Sequence, residues 1–137
     1  DAAFLQYLVE WEFLRTTNYL LWQQNISIDF NFEFRNSVEH WYPRNPSEGS
    51  FARWEDDGKE GVNRFGNLCL IQRNVNSKFS NMHPSAKKST FQKMISKGSL
   101  KLRRMSEITT DNSRLWRDKT CSEHEKEMLN LLRNACE

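Results

Sequence analysis

The chain has 137 residues, of which 37% are hydrophobic and 12% aromatic, enough to build one sizeable core and too many for a disordered chain. Charged residues make up 28%, yet the formal net charge is only +2, so global charge does not announce a polyanionic partner. No apolar run approaches the roughly 18–20 residues of a membrane span, no signal peptide is visible, and Cys69, Cys121 and Cys136 are too widely spaced for a disulfide scaffold, which fits a reducing cytoplasm. The start at Asp1, without a methionine, reads as a fragment cut from a longer protein.

In chain order, residues 2–23 place Phe4, Leu8, Trp11 and Arg15 on one stripe with Leu5, Leu14 and Leu21 close by. This predicts an amphipathic helix, with a candidate break near Thr16-Thr17. "ISIDFNFEF" then alternates, with Ile26, Ile28, Phe30, Phe32 and Phe34 on one face, and predicts a half-buried strand whose Phe row is core. Residues 43–66 are rich in Pro, Gly, Ser and charge and read as a long loop with one helical turn before Gly66. "NLCLI" is a short buried strand, and "RNVNSKFSNM" starts a short helix. Pro84 suits the first turn of a helix that Gly98 would end, and "SLKLRRMSEIT" is another short helix. Ser122 and Glu125 stand at capping-box spacing ahead of Met128, Leu131, Leu132 and Ala135, which predicts a helix over 122–136.

Charge is unevenly distributed. Nine Lys or Arg lie between Arg73 and Arg104, with no Asp or Glu until Glu107. Such a stretch is either the footprint of a polyanion or a solvated helix face.

One constellation carries chemistry. Metal-dependent phosphodiester hydrolysis needs a base for the attacking water, a hard cation on the phosphate, and few protein ligands. His40 is the base candidate, Glu39 beside it a hard anionic ligand, and the amide oxygens of Asn67 and Asn76 could complete the set. Neighbouring side chains of a strand point to opposite faces, so Glu39 and His40 can share a site only if the strand ends there, which Pro43 and Pro46 favour. His83, about 10 Å further along a straight helix than Asn76, takes a surface role. Trp41 and Trp54 read as packing residues or loop anchors, and Cys69 as core.

These residues carry a resemblance. "EHWYP…GNLCLIQRNVNSKF" resembles the HNH, or His-Me finger, nuclease motif, in which a strand ends in Asp/Glu-His and a second strand and helix follow a loop. Asn67 and Asn76 are nine residues apart with Lys78 shortly after, similar to the HNH domain of RNA-guided CRISPR nucleases. The two prolines, a long loop with a Trp, "RFGNLCLI" and the later Lys87-Lys88 pair look more specifically like the C-terminal nuclease domain of GmrSD-type modification-dependent restriction enzymes. The resemblance covers most of the chain.

It implies an α+β fold, a single mostly helical nuclease domain over 1–137 around a ββα-metal core formed by 36–42, 67–72 and 74–82. It implies His40 as general base and Glu39 and Asn76 as metal ligands. Asn67 joins the catalytic set as the residue tying the loop that bears His40 to the second strand. Arg73, Lys78, Lys87 and Lys88 are the implied nucleic-acid contacts, Lys87 and Lys88 as general phosphate contacts or solvated charge. The cofactor would be Mg²⁺, with Mn²⁺ as a substitute, and the partners DNA and an N-terminal ParB-like, NTP-dependent domain of the same protein. The role would be defence against phage DNA carrying modified bases. Glu39 stands where many HNH nucleases have Asp, and Asn76 where many have His, which favours Mg²⁺ over zinc or nickel. Two other readings stay open: a DNA-binding or regulatory module of the same fold without cleavage, and a helical protein-interaction domain whose basic stretch meets an acidic partner.

Overall fold

A computed structural model of the chain describes residues 2–25, 30, 35, 37–46, 51–54, 61–72, 81–110 and 116–136, with side chains from Trp11 onward except that of Asp118. Two short antiparallel strands, β1 (Ser37–His40) and β2 (Leu68–Ile71), pair with Ser37 opposite Ile71 and His40 opposite Leu68. β2 is buried at every position. Alternation along the strand sends Leu68 and Leu70 to one side and Cys69 and Ile71 to the other. Each side therefore needs its own apolar cover, which is why the run "LCLI" is apolar without a polar face.

Helix α1 (Ala2–Gln24) covers the first side, where Leu14 and Trp11 meet Leu68, Leu70, Val38 and Phe65. It does not break at Thr16-Thr17. The Thr17 hydroxyl donates to the Phe13 carbonyl at 2.7 Å, a back-bond that satisfies a buried hydroxyl within the helix. The other side faces the main core, built from Trp41, Tyr42, Trp54, Val62, Cys69, Ile71, Ile95, Leu102, Met105, Trp116 and Cys121.

The downstream helices are α2 (Pro84–Thr90), α3 (Gln92–Ser96), α4 (Leu100–Ile108) and α5 (Cys121–Ala135). Pro84 does open a helix, but the single helix expected up to Gly98 bends at Phe91, whose φ of −116° and ψ of 34° leave the helical range. The Phe91 ring packs against the main core, so tertiary packing takes the bend where sequence showed none. Ser99 caps α4 through the Leu102 N–H, and Asn18 of α1 accepts from the Lys101 N–H at 3.0 Å, so two side chains satisfy one helix N-terminus. The capping box expected at Ser122 and Glu125 does not form. A wide π-type turn over Trp116–Thr120 runs straight into α5, Thr120 already has helical dihedrals, and no side chain caps there. Glu125 turns instead to the 3₁₀ turn at Phe65–Asn67, accepting from the Gly66 N–H at 3.0 Å and from Arg64 at 2.6 Å.

The described chain is thus mostly helical around one small antiparallel sheet, an α+β arrangement. The alternating segment 26–34, apart from Phe30, and nearly all of the helix expected over 74–82 fall outside the described residues. No described helix is long and apolar enough to cross a membrane.

Two changes test this packing. A Cβ at Gly66 would stand 2.6 Å from the Cys121 carbonyl oxygen and 2.7 Å from Glu125 Cβ, so Gly66→Ala is expected to lower stability by at least about 2 kcal/mol, read from urea midpoints. His124 is 2% exposed, neither ring nitrogen has a hydrogen-bond partner among the described residues, and burial pushes its pKa down to about 2 from 6.5. The folded protein therefore keeps it neutral while the unfolded chain protonates below about 6.5, so stability present above 6.5 is lost as pH falls, by up to about 1.4 kcal/mol per pH unit. His124→Phe is expected to match or exceed the parent at neutral pH and to show a shallower loss of stability below pH 6.5 in urea unfolding series.

Candidate functional site

β1 ends at His40, and the chain bends through Trp41 and Tyr42 into Pro43. The two residues expected to act together enter different environments at that end. Glu39 is buried and turns toward α2, whereas the half-buried His40 turns toward the loop before β2.

Lys87 of α2 meets Glu39. Its side chain is 0% exposed, and its Nζ donates to the carbonyls of His40 at 2.8 Å and Trp41 at 2.9 Å, with Glu39 Oε2 at 3.5 Å. The ammonium also lies 5.6 Å from the Trp41 ring centroid. Three acceptors and an aromatic face leave this lysine no donor for solvent. The expected phosphate contact is therefore corrected at Lys87: the residue clamps the end of β1 from inside. No sequence signal separates it from Lys88, its neighbour. On a helix the two differ by ~100° in direction, and only the packing of α2 decides which is inward. Lys88 stays partly accessible and donates to the Thr109 carbonyl at 2.9 Å.

The Glu39–Lys87 pair does not fully offset its own burial. Desolvation raises the Glu39 carboxyl from 4.5 to about 6, and the Lys87 charge, its hydrogen bond and the His40 backbone N–H only partly pull it back. Desolvation likewise lowers the Lys87 pKa, with Glu39 opposing. Both shifts have one cause, the removal of water from two charges. Lys87 spends its shortest bonds on the two carbonyls, and its pairing with Glu39 is the longest of the three contacts. Among the described residues there is no group of three or more His, Cys, Asp or Glu that could hold a metal ion.

Asn67 occupies the centre. It is fully buried, and its Oδ1 accepts from the Tyr42 N–H at 2.8 Å and from the Trp116 indole at 2.9 Å. Its Nδ2 donates to the Tyr42 carbonyl at 3.0 Å and the Val62 carbonyl at 2.8 Å. An amide has two donors and a two-lone-pair acceptor, so its capacity is used completely. The side chain holds the segment after His40 against the segment before β2 and reaches no reacting group. The backbone adds to this, since the Trp41 N–H donates to the Asn67 carbonyl at 2.9 Å.

Through that amide, His40 meets Asn63, with Nε2 2.7 Å from Oδ1. Asn63 sits in the stretch read from sequence only as loop, and nothing in its surroundings marked it. Trp41 donates to Thr109 Oγ1 at 2.8 Å beyond the end of α4, and Tyr42 meets Phe51 and Trp54 edge-on at 5.5 and 5.6 Å, so the expected anchoring role of Trp41 and Trp54 is what they have. The Tyr42 hydroxyl donates to the Ala52 carbonyl. His83 is the N-cap of α2, its Nδ1 accepting from the Ser85 N–H at 3.0 Å, a role sequence reading missed because His is an uncommon cap. Cys69 is core, its thiol pushed up to about 12 by burial. Asn76, Arg73 and Lys78 lie outside the described residues.

A family model described as "GmrSD restriction endonucleases, C-terminal domain" matches residues 4–131. No curated protein and no solved structure matches the chain.

Removal of Lys87 tests the clamp. Lys87→Met strands the Glu39 charge and two carbonyls, and is expected to destabilise the protein by about 3–5 kcal/mol in urea unfolding. Adding Glu39→Gln to it should recover part of that loss, because the uncompensated charge goes with it; strictly additive effects would show that the two side chains are not coupled.

Proposed function

The chain belongs to the family of GmrSD restriction endonuclease C-terminal domains, and from that premise we propose that it hydrolyses phosphodiester bonds of DNA with Mg²⁺, using His40 as general base. The single observation that carries the reading is the Asn67 amide, which fixes the chain directly after Glu39-His40 against the strand that pairs with it. A strand end held this firmly presents the half-buried His40 at a defined spot, which a general base acting on an unreactive ester needs.

His40 accepts a proton from water as the water oxygen bonds to phosphorus. The bond from phosphorus to the 3′ oxygen breaks, that oxygen takes a proton from solvent, and the products are a 5′-phosphate and a 3′-hydroxyl. Glu39 and Asn76 would hold Mg²⁺, which when bound supplies positive charge to the crowded phosphate and to the departing oxygen. Arg73, Lys78 and Lys88 would contact the nucleic-acid backbone, where lysine and arginine act on phosphate charge without reading bases. The wider role follows the family: restriction of phage DNA with modified bases, in one protein with a ParB-like NTP-dependent domain, in the cytoplasm.

A second reading has one observation in its favour. Lys87 already places a cation beside Glu39, as a DNA-binding module of the same fold without cleavage would do. Plasmid cleavage separates the two. The parent is expected to nick DNA with Mg²⁺ and to stop with EDTA, and His40→Ala should cut the rate about 10²–10⁴-fold while salt-sensitive DNA binding persists. Equal trace cleavage by parent and His40→Ala would sink the enzyme reading and leave the binding module.

A further inference from the structure

The two helices that meet at the Phe91 bend turn a polar face outward. Ser89 and Thr90 at the end of α2 are exposed, as are Gln92, Lys93, Ser96 and Lys97 along α3 and its cap, while Ile95 on the opposite side of α3 is buried in the main core. Lys93 and Lys97 stand four positions apart, so they share one helical face and repel each other. Neither forms an ion pair among the described residues. No Asp or Glu stands between Glu60 and Glu107, so the local chain supplies no counter-charge.

Other exposed stretches differ. On α1, Arg15 pairs with Glu12 at 2.9 Å; Arg104 of α4 pairs with Glu127 of α5 at 3.0 Å, and Lys119 with Glu123 at 3.9 Å. Mixed signs of that kind mark a solvated helix face. The α2–α3 face instead combines cations with hydroxyl and amide side chains, the types that contact phosphate and sugar oxygens. A protein interface is centred on buried apolar anchors, and none of the exposed large hydrophobic side chains lies here.

The face is also tied to the candidate site. Phe91 and Ile95 seat both helices on the core, and the Ile95 N–H donates to the Phe91 carbonyl at 2.9 Å across the bend. Beyond α3, the Lys97 carbonyl accepts from the buried Arg35 at 3.3 Å and the Gly98 carbonyl from Arg103 Nε at 3.0 Å. One turn before the bend, Lys87 bonds the carbonyls of His40 and Trp41. A polyanion lying on α3 is therefore held in a fixed relation to the strand end that carries His40.

We propose that the outward face of α3, through Lys93 and Lys97, is a docking surface for the phosphate backbone of duplex DNA, with Ser89, Thr90 and Gln92 adding neutral hydrogen bonds beside it. The proposal rests on the nuclease reading above and extends it to substrate contacts away from the reacting phosphate, which bind ground and transition states alike.

Fluorescence anisotropy of a labelled duplex over a range of salt, in EDTA, tests it, with cleavage kinetics in Mg²⁺ alongside. The variants are Lys93→Gln/Lys97→Gln, Lys93→Arg/Lys97→Arg and, as a control removing the same charge from exposed positions of α5, Lys126→Gln/Arg133→Gln. The glutamine pair on α3 is expected to make the slope of log K against log salt shallower by about 2 and to weaken binding on the order of tenfold per lysine at 0.1 M salt, equally for unrelated duplex sequences. Its KM should rise with kcat kept, and its urea midpoint should stay parental because both side chains are exposed. The arginine pair should bind as the parent does, and the α5 control should keep the parental slope. A parental slope in Lys93→Gln/Lys97→Gln overturns the proposal, as does an equal loss in the α5 control, which would reflect net charge alone. Loss of poly-glutamate binding by the glutamine pair, with DNA binding unchanged, overturns it in favour of an acidic protein partner. If the parent binds DNA with the expected slope change but never cleaves it, this surface stands and the cleavage reading fails. If the parent cleaves and the slope does not change, only the surface fails.

Discussion

The side-chain amide of Asn67 is the interaction on which the site depends. Four hydrogen bonds leave it, to both backbone groups of Tyr42, to the Val62 carbonyl and from the Trp116 indole. Those partners come from the end of β1, the loop before β2 and the turn leading into α5, three segments that form no backbone ladder with one another among the described residues. Buried peptide groups need partners, and here one side chain supplies them for segments that cannot pair as strands. Because the amide is buried and saturated, any movement of one segment leaves another without its partner. That rigidity is what allows a contact between two half-exposed side chains, His40 and Asn63, to have a fixed geometry.

Two buried lysines extend the same principle to the strand ends. Lys87 binds the carbonyls of His40 and Trp41 as β1 finishes, and Lys101 binds those of Phe65 at 3.0 Å and Leu68 at 2.6 Å as β2 begins. The two clamps sit at one end of the sheet, since His40 and Leu68 are register partners. A four-residue strand pair has little stability alone, and an ammonium offers three donors that can reach carbonyls a backbone N–H cannot. The disadvantage is desolvation, which lowers both lysine pKa values, Lys101 to about 8. Glu39 sits beside the first clamp. Its raised pKa reflects a carboxylate placed where water is excluded and the neighbouring cation is largely committed elsewhere. Such an arrangement contributes little to stability.

The framework around the candidate site was legible in sequence where chemistry and backbone rules coincide. Glu-His followed by two prolines marked a strand end, and β1 does end at His40. A continuous apolar run marked β2 as buried on both faces, and it is. Asn67 was expected to tie the loop bearing His40 to the second strand, and its bonds run that way. Local rules failed where distant packing competes with them. Ser122 and Glu125 have capping-box spacing, but the chain enters α5 from a wide turn with no end to cap, and Glu125 is worth more to the Gly66 N–H and Arg64. Phe91 bends a helix because its ring finds the core.

Residue type and spacing by themselves determined the chemical repertoire: a base, a carboxylate and amides in an order that resembles one nuclease family, and the short elements that carry them. Those are properties of side-chain chemistry and of periods of about two and 3.6 residues, which any stretch of chain displays locally. Tertiary structure alone decided which of two adjacent lysines turns inward and which loop asparagine faces the histidine. Each is set by the meeting of segments distant in the chain, 47 positions for Lys87 with the His40 carbonyl and 23 for Asn63 with His40. Local sequence has no term for such distances; only the closed core, centred on one saturated amide, supplies it.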